Sequence, residues 1–217
     1  MGAAIKLNKP RRSACGDIPE ILADIYQDDV NLAIWQRDNV DSLSLFVAEQ
    51  LAKEETLNVT EEVSATDPLE ALKKNTALQS WGEALTKDIA QMIEMFSYLF
   101  EIENVGLRIR TLDKAMCPRF HIDRVPCRFI TTYAGQATQW LEDSQVNRSK
   151  LGHGSNGLPD DKSGLLLSPD NIQQMRPGDI ALLKGSAWAG NEDGAIVHRS
   201  PMIQPGEKRL LMTLDFM

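Results

Sequence analysis

The chain has 217 residues, with 23 Lys or Arg against 31 Asp or Glu and a formal net charge of −8. Its 42% hydrophobic and 25% charged residues are the composition of an ordinary globular protein and exclude wholesale disorder. The acidic balance argues against a nucleic-acid backbone as the main partner, because neutralising phosphates takes a surplus of Lys and Arg.

The opening stretch, MGAAIKLNKPRRSACG, is basic but has no apolar core of the length a secretory signal needs. Its Met-Gly start lacks the Ser or Thr that myristoylation prefers, so that modification is discounted. No run approaches the roughly 18–20 apolar residues that cross a bilayer. Three cysteines, Cys15, Cys117 and Cys127, are an odd, low count that suits a reducing compartment. The expectation is a cytoplasmic protein without a membrane partner, in an oligomeric state that the sequence leaves open.

From about residue 17 to 104 the periodicity is mostly helical. Ile18, Ile21, Leu22 and Ile25 mark one helix over 17–28, with Pro19 tolerated in its first turn. Residues 31–37 (NLAIWQR) read as a lone strand, and 41–52 as a second helix. Asp67-Pro68-Leu69-Glu70 has the form of a capped helix start. The strongest helix spans 81–101, with a stripe of Trp81, Leu85, Ile89, Met92, Ile93, Phe96, Leu99 and Phe100 at three- and four-residue spacing. That stripe predicts packing against the outside of a sheet.

After Gly106 the rhythm changes to short runs split by Gly and Pro. Strands are predicted at 107–112, 119–122, 127–133, 138–141, 179–184, 195–199 and 208–216. That density predicts a small barrel or double-sheet jelly roll. Between them, 142–170 is rich in Gly, Ser, Asn and Asp, a loop of the length expected of a lid or a disordered segment. The predicted class is α+β: a mainly helical region, 1–105, supporting a double-stranded β-helix of the jelly-roll or cupin kind, 106–217, as one compact unit.

The candidate chemistry lies in His121, Asp123 and His198, with Arg209 eleven residues beyond the last. Residues two apart on a strand share a face, so His121 and Asp123 can bind one ion while His198 arrives from a later strand. Two His and one carboxylate are the facial set that holds non-haem Fe(II) and leaves positions open. Arg209 lies in the last strand, KRLLMTLDF, where a guanidinium fork suits the far carboxylate of a keto acid. A hydroxyl from Thr213, Thr131 or Tyr133 would add to that grip. Arg108, Arg110, Arg119, Arg124 and Arg128 cluster near the H-x-D pair and read as a ring around an anionic small molecule. Arg199 falls on the opposite face from His198 and is left out of the co-substrate site.

H-x-D, a distant His and an Arg about ten residues on resemble the pattern of Fe(II)/2-oxoglutarate dioxygenases over residues 106–216. The runs CPRFHIDRVPCRFITTYAGQATQWLE, RPGDIALLKG, VHRSP and RLLMTLDF resemble, over most of the chain, an uncharacterised bacterial family, domain of unknown function 1826. Its members are often associated with zinc-responsive genes, which implies a link to metal supply and no particular reaction.

The leading expectation is an Fe(II)/2-oxoglutarate-dependent oxygenase, held by His121, Asp123 and His198 as catalytic and metal residues. Its substrate, small molecule or protein, is not named by the sequence. The alternative is a non-enzymatic zinc-binding accessory protein on the same triad, since Zn²⁺ also accepts His and Asp. Cys117 and Cys127 flank the H-x-D pair at four residues on either side, and thiolate ligation by either would favour zinc. A third reading is a retained fold that binds only a partner. His153 reads as a solvated loop residue that acts on substrate if the loop closes, and Trp140 and Trp188 as packing residues beside the turns.

Overall fold

A computed structural model describes residues 10–38 and 40–217. Residues 1–9, with the Met-Gly start, and Asn39 lie outside the described residues. The fold is mixed α/β and sheet-rich. Two sheets account for its strands.

In chain order the described elements begin with β1 (Arg12–Gly16), a 3-10 helix (Pro19–Tyr26), β2 (Val30–Trp35), α1 (Asp41–Ala52) and β3 (Asn58–Ser64). Then come α2 (Pro68–Lys73), α3 (Thr76–Gln79), α4 (Gly82–Phe100), β4 (Asn104–Leu112), β5 (Cys127–Ala134) and β6 (Gln139–Leu141). Short 3-10 turns fill 143–171, followed by β7 (Ile172–Gln174), β8 (Ile180–Lys184), β9 (Val197–Arg199) and β10 (Arg209–Phe216). The larger sheet has seven strands in the order β1-β2-β8-β5-β10-β4-β3, and the smaller runs β7-β6-β9.

The helices form where the periodicity places them. Asp67 accepts from the Glu70 N–H and caps α2, ahead of Pro68. α4 buries Leu85, Ile89, Met92, Ile93 and Phe96 in one stripe. Those side chains meet Val105, Leu107 and Ile109 of β4, Phe129 of β5, and Leu210, Met212 and Leu214 of β10. Burying one such side chain contributes roughly 1.5–3 kcal/mol, so this layer is the main stabilising core. A second core lies between the sheets, built from Leu32, Ile34, Ile130, Ala181, Leu183 and Leu211 with Trp140 and Ile196. Strand alternation divides β10 in the same way: 210, 212 and 214 face the helices, while 209, 211 and 213 face the gap between the sheets.

The first 105 residues are more than a helical support. They supply β1, β2 and β3, three of the seven strands, so the division at 105/106 is not a boundary in the sheet. The expected helix at 17–28 is a 3-10 helix leading into β2, which pairs with β8. The segment 119–122 forms no strand; only His121 bridges, to His198. The loop 142–170 is ordered. Val146 bridges Leu166, and Phe120, Leu141, Leu165 and Val197 form a third apolar cluster beneath it. No helix of the described residues is long and apolar enough to cross a membrane.

Candidate metal centre and its pocket

His121 and His198 are brought face to face by backbone pairing. Each donates its N–H to the other's carbonyl at 3.0 Å, the reciprocal pairing of an antiparallel bridge. Their side chains therefore emerge on the same side, with ring centroids 4.5 Å apart. His121 Nδ1 lies 2.9 Å from the Arg119 carbonyl and His198 Nδ1 lies 3.3 Å from the Ile196 carbonyl. A carbonyl accepts only, so both Nδ1 atoms carry the proton, and Nε2 is the ring atom each histidine leaves for a metal.

The two Nε2 atoms converge on one carboxylate. His121 Nε2 is 3.7 Å from Asp123 Oδ1, and His198 Nε2 is 3.7 Å from Asp123 Oδ2. The three ligand atoms lie within 4.8 Å of one another. Bonds of about 2.1 Å meeting near a right angle put ligand atoms about 3 Å apart, so small side-chain rotations suffice to grip an ion. His198 is buried, and burial first and the nearby His121 second push its pKa down to about 4. It is a neutral donor at neutral pH.

Asp123 is held from two sides. Its carbonyl accepts from the Ser186 N–H at 2.9 Å, which ties the H-x-D turn to the end of β8. Its Oδ2 accepts from Arg128 Nη1 at 2.6 Å, and Arg128 Nε donates to Asp215 Oδ1 at 2.7 Å. Burial would lower the Arg128 pKa, but the hydrogen bonds to Asp215 and the charge of Asp123 outweigh it and raise it. Arg128 thus orients a ligand from outside the ligand set. Sequence reading placed it in a ring of cations; its signal as a bracing residue is a lone charge within the apolar strand CRFITTYA.

Arg209 is 1% exposed, and burial pushes its pKa down to about 10. Nη1 donates to the Gln136 carbonyl at 3.2 Å and Nη2 to Ser200 Oγ at 3.1 Å. Among the described residues no carboxylate pairs with it, and its Nε and the Oγ1 of Thr213 are buried without a hydrogen-bond partner. A buried guanidinium without a counter-charge is costly. The same strand face offers a donor fork and a hydroxyl, the chemistry that receives a carboxylate. Gly135, at φ +84°, makes the close approach feasible, since a Cβ there would stand 2.6 Å from the Arg209 Cβ.

His121, His198, Arg209 and Thr213 line one cavity of about 90 Å³ between the sheets. On its other side His121 also borders an open cleft of about 650 Å³, walled by Arg119, Arg124, Lys150 and His153. His153 is exposed there, at the rim. A larger groove of about 970 Å³, beside α1 and Gly135, contains none of the four residues, so size does not mark the site.

Two predicted grips are corrected. Thr131 and Tyr133 share the face of β5 with Phe129, which is turned to the helices; Ile130 and Arg128 face the cavity instead. Tyr133 Oη donates to Asp88 Oδ2 at 2.8 Å on α4, and Asp88 Oδ1 accepts from Arg37 at 2.6 Å. Arg199 donates to Gln139 at 2.8 Å and lies over the Phe120 ring, 4.3 Å from its centroid. Trp140 packs between the sheets and Trp188 against Tyr26. Cys127 faces the helix-side core, where burial pushes its thiol pKa well up. Cys117 lines the cavity, exposed, but is not in the ligand group.

A family model described as "Protein of unknown function (DUF1826)" matches residues 16–215. No curated protein sequence matches the chain. Among solved structures, the dioxygenase for auxin oxidation 1 from Arabidopsis thaliana, in complex with 2-oxoglutarate, is similar at 8% identity and TM-score 0.46, covering 95% of this chain and 92% of that one. A Pseudomonas putida prolyl-4-hydroxylase is similar at 11% identity and TM-score 0.41, covering 90% and 96%. HygX from Streptomyces hygroscopicus, with nickel and 2-oxoglutarate bound, is similar at 11% identity and TM-score 0.41, covering 91% and 85%.

Proposed function

The chain belongs to the DUF1826 family, and from its own site we propose that it is an Fe(II)/2-oxoglutarate-dependent oxygenase on a double-stranded β-helix. The observation that carries the reading is the pairing of two half-sites in one cavity. His121 and His198 turn their free Nε2 atoms to Asp123, and a buried Arg209 without a carboxylate partner lies along the same pocket.

The residues fit the group. Two imidazoles and one carboxylate are the donor set that leaves positions open on Fe(II). The orphaned Arg209 Nε and Thr213 Oγ1 supply the donors a distal carboxylate needs. With 2-oxoglutarate and O₂, Fe(II) supplies oxidative decarboxylation of the keto acid coupled to hydroxylation of a substrate C–H bond.

The chain's own work is positional. His121, Asp123 and His198 would hold the ion, and the carbonyl-bound Nδ1 protons of the two histidines fix their ring orientation. Arg128 holds the Asp123 carboxylate in place. Arg209 and Thr213 would hold the far carboxylate of 2-oxoglutarate. Leu211 and Ile130 wall that space with apolar surface and exclude water, which strengthens each of these charge contacts.

A non-enzymatic zinc-binding accessory role on the same triad is less well supported. A thiolate is the ligand that would mark it, and Cys127 lies on the opposite face while Cys117 stands outside the ligand group. The three free cysteines suit the cytoplasm as the working compartment. The reaction is tested by Fe(II)-dependent conversion of 2-oxoglutarate to succinate under air. The wild type converts it slowly without substrate and Asp123→Ala does not; equal rates in the two would overturn the reading.

A further inference from the structure

We propose, resting on the oxygenase reading above, that the substrate is an anion whose carboxylate or phosphate is received by Arg108 and Arg110 on β4. The chain carries a net charge of −8, yet the cavity that holds His121 and His198 is lined by Arg108, Arg110, Arg128, Arg199 and Arg209; the two carboxylates near it, Asp123 and Asp215, are not among the lining residues and are both paired with Arg128. A patch opposite in sign to the whole molecule concentrates oppositely charged ligands.

Three of these guanidinium groups already have work. Arg209 faces the co-substrate end, Arg128 is occupied by Asp123 and Asp215, and Arg199 by Gln139 and Asp160. Arg108 and Arg110 are different. They stand two apart on β4, so both project on the cavity side, while Leu107 and Ile109 between and beside them are buried against the helices. In the sheet Arg108 is opposite Thr213 and Arg110 opposite Leu211 on β10, which sets both arginines alongside the co-substrate strand.

Their charges are poorly compensated. The nearest acid to Arg108 is Asp215 Oδ2 at 3.8 Å, and Arg128 already takes both Asp215 oxygens at 2.7 and 3.3 Å. Arg110 pairs with no carboxylate among the described residues. Its Nη1 donates to the Val59 and Ile109 carbonyls and its Nη2 to Thr60 Oγ1 at 2.6 Å, which fixes the group without neutralising it. Glu62, on the same face of β3, stands opposite Gly106 and forms no ion pair with either. Arg108 is 46% exposed and Met116 and Cys117 beside it are exposed, so this side of the cavity is its mouth. Held in place, charged and at the entrance, the two forks suit a ligand oxyanion that arrives after 2-oxoglutarate.

The test is calorimetric titration of protein loaded with Ni(II) and 2-oxoglutarate, using inorganic phosphate and, separately, acetate as probes. The wild type binds at least one probe saturably, more weakly as NaCl is added. Arg108→Gln and Arg110→Gln each weaken that binding about tenfold, the loss expected for one charged hydrogen bond, and leave 2-oxoglutarate affinity unchanged. A response to phosphate alone assigns a phosphate ester, and to acetate alone a carboxylic acid. Arg110 also braces β3, so where Arg110→Gln fails to fold the exposed Arg108→Gln decides alone. Absence of binding by either probe, undiminished binding in the variants, or loss of 2-oxoglutarate in step with the probe would overturn the proposal. Failure of wild type to take up 2-oxoglutarate would instead strike the oxygenase reading, and the titration of Ni(II)-loaded protein without keto acid still reads Arg108.

Discussion

Arg128 Nη1 donates at 2.6 Å to Asp123 Oδ2, the same oxygen that stands 3.7 Å from His198 Nε2. One carboxylate is thus shared between the ligand set and a bracing cation on β5. Arg128 also takes Asp215 on β10 and so ties the H-x-D turn to the strand that carries Arg209. Arg128→Gln is predicted to lower Fe(II) affinity by about 10- to 100-fold, the usual cost of losing an outer partner of a metal ligand. Competition with a colourimetric chelator measures it. Unchanged affinity would show that Asp123 needs no brace.

Arg209→Ala should separate the two halves of the site. Metal affinity stays within about twofold, whereas 2-oxoglutarate binding weakens by about a hundredfold, since a buried charged fork contributes about 1.5–3 kcal/mol per bond and makes more than one. Titration with each ligand in turn is the check. Parallel loss of both would mean that Arg209 only supports the fold.

Gly135→Ala tests the packing behind that arginine. The backbone at φ +84° disfavours a side chain, and the added Cβ would lie 2.5 Å from the Lys208 carbonyl. Loss of about 1–3 kcal/mol in urea unfolding is expected, with weakened 2-oxoglutarate binding in the folded fraction. An unaltered midpoint would contradict the close approach.

Tyr133→Phe should behave as a core variant. Its hydroxyl donates to Asp88, not into the cavity. The expected loss is about 1–2 kcal/mol of stability with 2-oxoglutarate affinity unchanged, measured by denaturation and titration on the same preparation. Weakened co-substrate binding without lost stability would restore Tyr133 to the site.

The stability of metal-free protein should fall with acid through His198. Its folded pKa is pushed down from 6.5 to about 4, chiefly by burial. Above pH 6.5 both states are neutral there and the group contributes no pH dependence. Between about 6.5 and 4 the unfolded chain takes up a proton that the folded chain refuses, so stability drops, and below 4 this contribution is complete. Urea midpoints measured across that window should fall in wild type and flatten in His198→Asn. Equal slopes would assign the acid sensitivity elsewhere.

The clustering of His121, Asp123 and His198 was legible from residue type and spacing, and strand period does put Arg209 with Thr213 on β10. His121 and Asp123, however, meet across a turn, since 119–122 forms no strand and the predicted strand geometry was not the reason they converge. α1 and α4 were legible from their apolar spacing. β1 and β3 were not. Only Ala14 is buried in β1, and β3 buries Val59 and Val63 four residues apart, a spacing that reads as helical. The misplacement of Thr131 and Tyr133 has one cause: alternation groups 127, 129, 131 and 133 together, but which face they take depends on pairing with β10 and β8. The Arg128–Asp123 contact likewise depends on a turn closed by Ser186, 63 residues away in sequence.

The central claim is that one cavity holds both a His121–Asp123–His198 metal and an Arg209-bound keto acid. It is tested most directly by anaerobic titration of metal-free protein with Fe(II) and 2-oxoglutarate, watching for the weak visible charge-transfer band of the chelated keto acid. The band should appear in wild type, vanish in Asp123→Ala, and require much higher 2-oxoglutarate in Arg209→Ala. A wild type that binds Fe(II) and shows no band at saturating keto acid would contradict the account.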